Sequence, residues 1–196
     1  MTEFKEDKDS VELQDKQTLP DFPTRLARRV VYESAWVNLY LDKVLFPDGR
    51  IIEDYHLVDS PKQAVGVLVS NEAGELLLEH VYRYPTGRME WEIPAGAIEL
   101  GEDILVAAQR ETYEETGYET HDHRLLYTFN PANGNTIYVF FIASCRAGEC
   151  TGKIDVGEIK AFRWMKRTEI EDMIRQRVLQ DGFTLAAVLF WWANLF

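Results

Sequence analysis

The chain has 196 residues, 46% of them hydrophobic and 12% aromatic, which suits one ordinary domain with a sizeable core and excludes wholesale disorder. Its 33 acidic and 21 basic side chains give a formal charge of -12, which disfavours generic binding to nucleic acid or to anionic lipid, so an anionic substrate needs local basic residues or bound metal. Cys145 and Cys150 are too few for a disulfide framework or a zinc site, no charged-then-apolar start marks a signal peptide, and the longest apolar tract, Leu185–Phe196, is too short to span a bilayer; a cytoplasmic protein is expected.

Residues 1–24 mix acids, lysines and polar residues and read as a mobile arm. From Arg29 the texture becomes β-rich. RVVYES, WVNLYLDKVLF and GRIIEDYHLV, the last two separated by the turn Pro47-Asp48-Gly49, predict a small antiparallel sheet within residues 25–60. Such a sheet buries little alone and is expected to pack on the main domain or on a partner chain. Its aromatics Trp36, Tyr40 and Tyr55 read either as core, the commoner meaning in strands, or as groups that stack on a substrate.

Residues 61–196 supply the main domain. AVGVLVS (64–70) has the continuous apolar character of a buried central strand, and Asn71–Gly74 turns it into ELLLEHVYRY as a hairpin. After the loop Pro85-Thr86-Gly87, MEWEIPAG (89–96) alternates until Pro94 ends its pairing. A helix is predicted from Asp103 to Gly117, with Leu105, Ala108 and Thr112 toward the sheet. HRLLYTF and NTIYVFFIAS read as strands around the loop Asn130–Gly134. His121 and His123 fall in a polar turn with no third ligand, so they read as solvent-exposed rather than as a metal pair. A polar, glycine-rich loop over Arg146–Val156, a strand over Glu158–Met165, a helix over KRTEIEDMIRQRV and an apolar helix over Phe183–Phe196 complete a mixed α+β pattern.

The informative stretch is Gly96–Tyr118, GAIELGEDILVAAQRETYEETGY. Residues three and four apart share a helix face, so Glu111, Glu114 and Glu115 form one acidic patch. The patch reads either as a solvated face or as a cation site. Carboxylate oxygens clustered without sulfur or paired imidazoles suit Mg²⁺ or Mn²⁺ rather than zinc.

The spacing G-x5-E-x7-R-E-x-x-E-E-x-G-hydrophobic, with Gly96, Glu102, Arg110, Glu111, Glu114, Glu115, Gly117 and Tyr118 in its fixed places, resembles the Nudix hydrolase signature. Thr112 departs from it, standing where the family usually has an aliphatic residue. The resemblance runs from about Arg29 to the C-terminus. AWVNLYLDKVLFPDGR, AVGVLV, VYRYPTGRMEWEIPAG and DGFTLAA, with Arg83, Glu92 and the loop proline Pro131, look like the ADP-ribose and nucleoside diphosphate sugar pyrophosphatases.

That resemblance implies an α+β, Nudix-type α/β/α sandwich with a mixed sheet, preceded by a small N-terminal antiparallel sheet. It implies a hydrolase that splits the pyrophosphate of a nucleoside diphosphate sugar into a nucleoside monophosphate and a sugar phosphate, with Mg²⁺ or Mn²⁺ as cofactor. The carbonyl of Ala95 and the carboxylates of Glu111 and Glu115 correspond to inner metal ligands, and Glu114 to a further or water-mediated one. Arg110 would hold these acids, and Glu102 would support the loop or an outer metal. The base is expected in the late acidic loop at Glu158, with Asp155 the alternative, so Glu158, Glu114 and Arg110 form the expected catalytic group. Arg83 and Glu92 are expected to contact phosphate and sugar hydroxyls, or to form a structural salt bridge with each other. A homodimer through the N-terminal sheet is implied, one subunit lending an aromatic such as Trp36 to the other's base pocket. The same signature serves GDP-mannose, dinucleoside polyphosphate and oxidised nucleoside triphosphate hydrolases, and the fold also serves non-catalytic nucleotide sensors.

Overall fold

The structure, a computed structural model, describes residues 19–130, 136–137, 140–152 and 159–193. The expected arm before residue 19, the loop proline Pro131, Asp155, Glu158 and the last residues of the expected C-terminal helix lie outside the described residues. The chain divides into two compact units, one N-terminal and one that holds the signature.

In the first unit β1 (Thr24–Tyr32), β2 (Asn38–Leu45) and β3 (Ile51–Asp59) form an antiparallel meander. The turn between β2 and β3 closes with Gly49 N–H donating to the Phe46 carbonyl at 2.9 Å, and Gly49 takes φ +84°, a conformation open to a residue without Cβ. Tyr40, Val44, Leu45 and Leu57 are buried. Asp42 is buried among them, and Arg28 satisfies it with two charge-assisted bonds, Nε to Oδ1 at 2.7 Å and the second nitrogen to Oδ2 at 2.8 Å. The same guanidinium lies 4.2 Å from the ring centre of Tyr40. Of the aromatics, Tyr40 is core and Tyr55 half-buried, whereas Trp36 sits in the bend between β1 and β2, 78% exposed.

One expectation fails here. NTIYVFFIAS is not a single strand. Its first part, β9 (Thr136–Ile137), pairs in parallel with β3 to give the sheet order β1-β2-β3-β9, and the residues from Phe140 pair in the sheet of the other unit.

The second unit is a mixed sheet built from β4 (Ala64–Ser70), β5 (Leu76–Arg83), β6 (Arg88–Glu92), β7 (Ala95–Ala97), β8 (Tyr118–Phe129), β10 (Phe140–Cys150) and β11 (Ile159–Met165). Its order is β11-β5-β4-β10-β8, with β6 on β5 and β7 on β4; β4 and β10 run parallel and the other pairs antiparallel. Because strand side chains alternate, Val65, Val67 and Val69 face one side, where Leu77, Ala143 and Cys145 join them against Ala107 and Ala108 of helix α1 (Ile104–Thr116). The other side carries Gly66 and, in register with it, Ile142. There Phe140 stacks on Phe183 of helix α3 (Gly182–Trp192) at 4.1 Å between ring centres. A Cβ at Gly66 would stand 2.7 Å from Ile93 and 2.8 Å from Phe140, so this face closes only on a bare backbone. The unit is thus a helix-sheet-helix sandwich, with the short α2 (Arg167–Arg175) between β11 and α3 in sequence.

Two further corrections concern β8 and β10. β8 starts at Tyr118, so His121 and His123 lie in a strand, not a polar turn; Asp122 between them takes φ +56° and breaks the alternation. His121 is exposed, but His123 is half-buried, its Nε2 2.9 Å from Thr120 Oγ1, and burial lowers its pKa. β10 runs on to Cys150, so the polar loop begins later than Arg146. Both cysteines are free, and burial pushes the Cys145 thiol up to about 12, which makes it inert.

Candidate active site

Helix α1 fixes the site. Asp103 caps it, its Oδ1 accepting from Leu105 N–H at 2.8 Å, and Gly117 ends it at φ +74° with its N–H on the Tyr113 carbonyl. One face is core, with Ala107, Ala108, Thr112 and Thr116 all wholly buried. Thr112, the departure from the signature, donates its hydroxyl to the Ala108 carbonyl at 2.8 Å, so its own helix satisfies it and no partner is needed from the sheet.

The flanking face carries Arg110, Glu111, Glu114 and Glu115. Arg110 uses all of its guanidinium N–H groups: Nε and one terminal nitrogen grip Glu102 at 2.9 and 2.8 Å, that nitrogen also reaches the Ala97 carbonyl at 2.9 Å, and the other reaches Glu111 at 2.7 Å and Glu114 at 3.3 Å. This contact holds the Glu102 carboxyl down at about 2 and raises the arginine further above its ordinary value. Glu102 also accepts from Glu99 N–H at 2.9 Å, so it braces the loop as well as the arginine.

Glu111 packs over the loop backbone. A Cβ at Gly96 would lie 2.0 Å from the Glu111 carboxyl carbon, so the glycine leaves the space that this carboxylate fills. Burial raises the Glu111 pKa against the pull of Arg110. Glu115 accepts from Ala95 N–H at 3.0 Å, which sets it beside the backbone of the residue expected to offer a carbonyl. Burial and then the charge of Glu79 hold Glu115 well above the ordinary carboxylate range. Glu114 is more open, its side chain 57% exposed.

Glu79 did not emerge from the sequence reading. It sits in β5 directly opposite Glu92 of β6, 2% exposed, and its Oε1 has no hydrogen-bond partner among the described residues. Burial, then the neighbouring Glu92, holds its carboxyl well above the ordinary carboxylate range. The available signal was an acid inside the apolar run LLLEHV, two residues along from the core residue Leu77 and so on the α1 side of the sheet. Glu92 is itself gripped by Arg83, Nε to Oε1 at 2.8 Å with a second bond to Oε2, so these two pair with each other. Trp36 belongs to the first unit and Glu158 lies outside the described residues.

The structure thus brings Ala95, Gly96, Glu102, Arg110, Glu111, Glu114 and Glu115 together, and sets Arg83 and Glu92 on the neighbouring hairpin. The NUDIX domain family model matches residues 60–183. The chain belongs to the Nudix family. The model of the nucleoside diphosphate sugar hydrolase N-terminal domain matches residues 24–58. The chain is 32% identical to a CMP-5'-(N-acetyl-N-hydroxy-3-aminopropyl)phosphonate hydrolase of Streptomyces rubellomurinus over 162 residues, which is 79% of this chain and 75% of that protein. It is 26% identical to the ADP-ribose pyrophosphatase of Bacillus subtilis over 166 residues, 83% of this chain and 89% of that protein. A solved ADP compounds hydrolase superposes with a TM-score of 0.80 at 18% identity, covering 92% of this chain and 97% of its own, a likeness of fold.

Nudix hydrolases generally use divalent metal ions. No three acidic, imidazole or thiol side chains stand as a ready-made metal cluster among the described residues. The donors nevertheless suit a hard cation: they are all oxygen, and a buried carboxylate oxygen of Glu79 is left without a partner beside them. A separate cleft of about 550 Å³, lined by Arg124, Ser144, Arg146 and Trp191, contains none of the signature acids.

Proposed function

We propose that this Nudix hydrolase splits the pyrophosphate of a nucleoside diphosphate sugar of the ADP-ribose class, giving a nucleoside monophosphate and a sugar phosphate. The observation that carries the reading is the seating of Glu111 over Gly96 and of Glu115 on Ala95, with Arg110 spent on the surrounding acids. The nucleoside diphosphate sugar hydrolase N-terminal domain at residues 24–58 supports the substrate class.

Glu111, Glu115, the Ala95 carbonyl and Glu114 would hold Mg²⁺ or Mn²⁺. When bound, the metal supplies positive charge against the phosphoryl oxygens and lowers the pKa of water. In this reading Arg110 keeps the acids oriented and does not itself meet the phosphate, since its donors are committed. A water adds to one phosphorus, the bond from that phosphorus to the bridging oxygen breaks, and the water's proton passes to Glu158, or to Asp155 in the same stretch. The Arg83–Glu92 pair stands ready to present a guanidinium to phosphate and a carboxylate to a ribose or sugar hydroxyl. Exposed Phe22, Tyr32 and Trp36 in the N-terminal unit support a homodimer, with Trp36 offered to a base. A cytoplasmic location fits the two free cysteines.

The similarity to a CMP-linked phosphonate hydrolase favours a second reading, a cytidine nucleotide as substrate. A panel of ADP-ribose, other nucleoside diphosphate sugars, cytidine nucleotides, dinucleoside polyphosphates and nucleoside triphosphates, with products identified and with EDTA controls, decides between them. Turnover of triphosphates with all diphosphate sugars inert would overturn the main reading.

A further inference from the structure

The signature accounts for the acids of α1 but not for Glu79. A carboxylate that is 2% exposed ordinarily has both oxygens hydrogen-bonded, because stripping water from an unpaired polar atom costs more than the fold regains elsewhere. Glu79 Oε1 has no such bond among the described residues. The nearby cations are already engaged, Arg83 with both oxygens of Glu92 and Arg110 with Glu102, Glu111 and Glu114. Strand alternation sets Glu79 on the side of the sheet that packs against α1, and the pairing of β5 with β6 sets it opposite Glu92. An apolar residue or a glutamine would fill this position without placing another acid beside Glu115. A carboxylate belongs there if a cation shares the space.

We propose that Glu79 is an additional carboxylate of the divalent-cation site, contributed by β5 from outside the signature. Its free oxygen takes up the cation directly or accepts from a water that the cation holds. The inference rests on the metal-dependent reading above and extends it to a group that the signature does not specify. It makes the site a two-element one, helix α1 on one side and strand β5 on the other, so cation binding ties the helix to the hairpin that carries Arg83 and Glu92.

The test is Mn²⁺ binding to the full chain, read by loss of the free-Mn²⁺ paramagnetic resonance signal, with thermal unfolding of the metal-free proteins alongside. Wild type is compared with Glu79→Gln, Glu79→Leu, Glu79→Asp and Glu115→Gln. The expected result is Mn²⁺ affinity at least tenfold weaker in Glu79→Gln and Glu79→Leu, partly restored in Glu79→Asp, with the metal-free melting temperature of Glu79→Gln equal to or above that of wild type. If Glu115→Gln weakens Mn²⁺ binding while Glu79→Gln and Glu79→Leu keep wild-type affinity and stoichiometry, Glu79 is a buried protonated acid and the inference fails alone. If the wild type takes up no Mn²⁺, the metal-dependent reading fails and the inference with it. Should Glu79→Gln not fold, the Leu and Asp variants carry the same comparison.

Discussion

Each unit of the molecule holds an arginine clamped on buried or half-buried acid, and the two clamps differ in charge balance. Arg28 meets one carboxylate, Asp42, with two short bonds and an aromatic lid, and the account closes. Arg110 meets Glu102, Glu111 and Glu114, while Glu115 and Glu79 stand beside them and feel the charge of Arg83, whose bonds go to both oxygens of a further acid, Glu92. A neutral pair is a fastening. A cluster with surplus negative charge is unfinished, and in the reading proposed above its unfinished part is where an external cation would act.

The sharpest way to break this contrast is to remove charge from the unbalanced side. Glu115→Gln should lower kcat by about a hundredfold or more, equivalent to about 2.7 kcal/mol of transition-state stabilisation, while folding is retained. Near-normal turnover at saturating Mg²⁺ would sink the ligand assignment. Removing the cation of the balanced pair should act on stability instead. Arg28→Met leaves Asp42 buried and unpaired and should cost about 2–3 kcal/mol, less than for a wholly buried pair because Arg28 is partly solvated. Urea unfolding with and without Mg²⁺ should show the same loss.

Acidity sharpens the contrast in metal-free protein. Glu79 and Glu115 have raised pKa values when folded, so between the ordinary value of 4.5 and the raised ones the native state holds protons that the unfolded chain has released. Their contribution to stability is therefore complete below about pH 4.5 and is lost as pH rises through the raised values, by at most about 1.4 kcal/mol per pH unit for each group. Glu92 faces the same space and adds to the rise at Glu79, whereas Arg83 opposes it. Under the proposed reading Mg²⁺ would bind the deprotonated acids, so the rise in melting temperature on adding it to EDTA-treated protein should grow with pH. Parallel melting curves would contradict the charge surplus. The smallest effect belongs to Thr112→Val, which should change stability by less than about 1 kcal/mol and leave kcat unaltered, because among the described residues the hydroxyl bonds within its own helix.

Much of this was legible in the residues. The helix boundaries at Asp103 and Gly117, the acidic face and the mixed sandwich follow from capping chemistry, helical spacing and apolar runs, which are local signals. Three features were hidden because they depend on distant partners. Thr136 and Ile137 carry no mark that assigns them to a different sheet from Phe140, since parallel pairing with Val58 and Asp59 is settled only by the path of the chain. His121 and His123 read as a turn because Asp122 breaks the alternation inside a continuous strand. Glu79 looked like an ordinary strand residue until its register opposite Glu92 set it on the buried side.

The parallel pairing of β9 with β3 also bears on how this molecule can be taken apart and recombined. An N-terminal segment cut after β3 would leave behind the piece of chain that covers β3's outer backbone, with Val58 and Asp59 bare along an open edge. Open strand edges recruit other chains. A chimera that borrows this N-terminal unit from a relative should therefore graft residues 136–137 along with it, and one that omits them should associate with itself more readily than the parent.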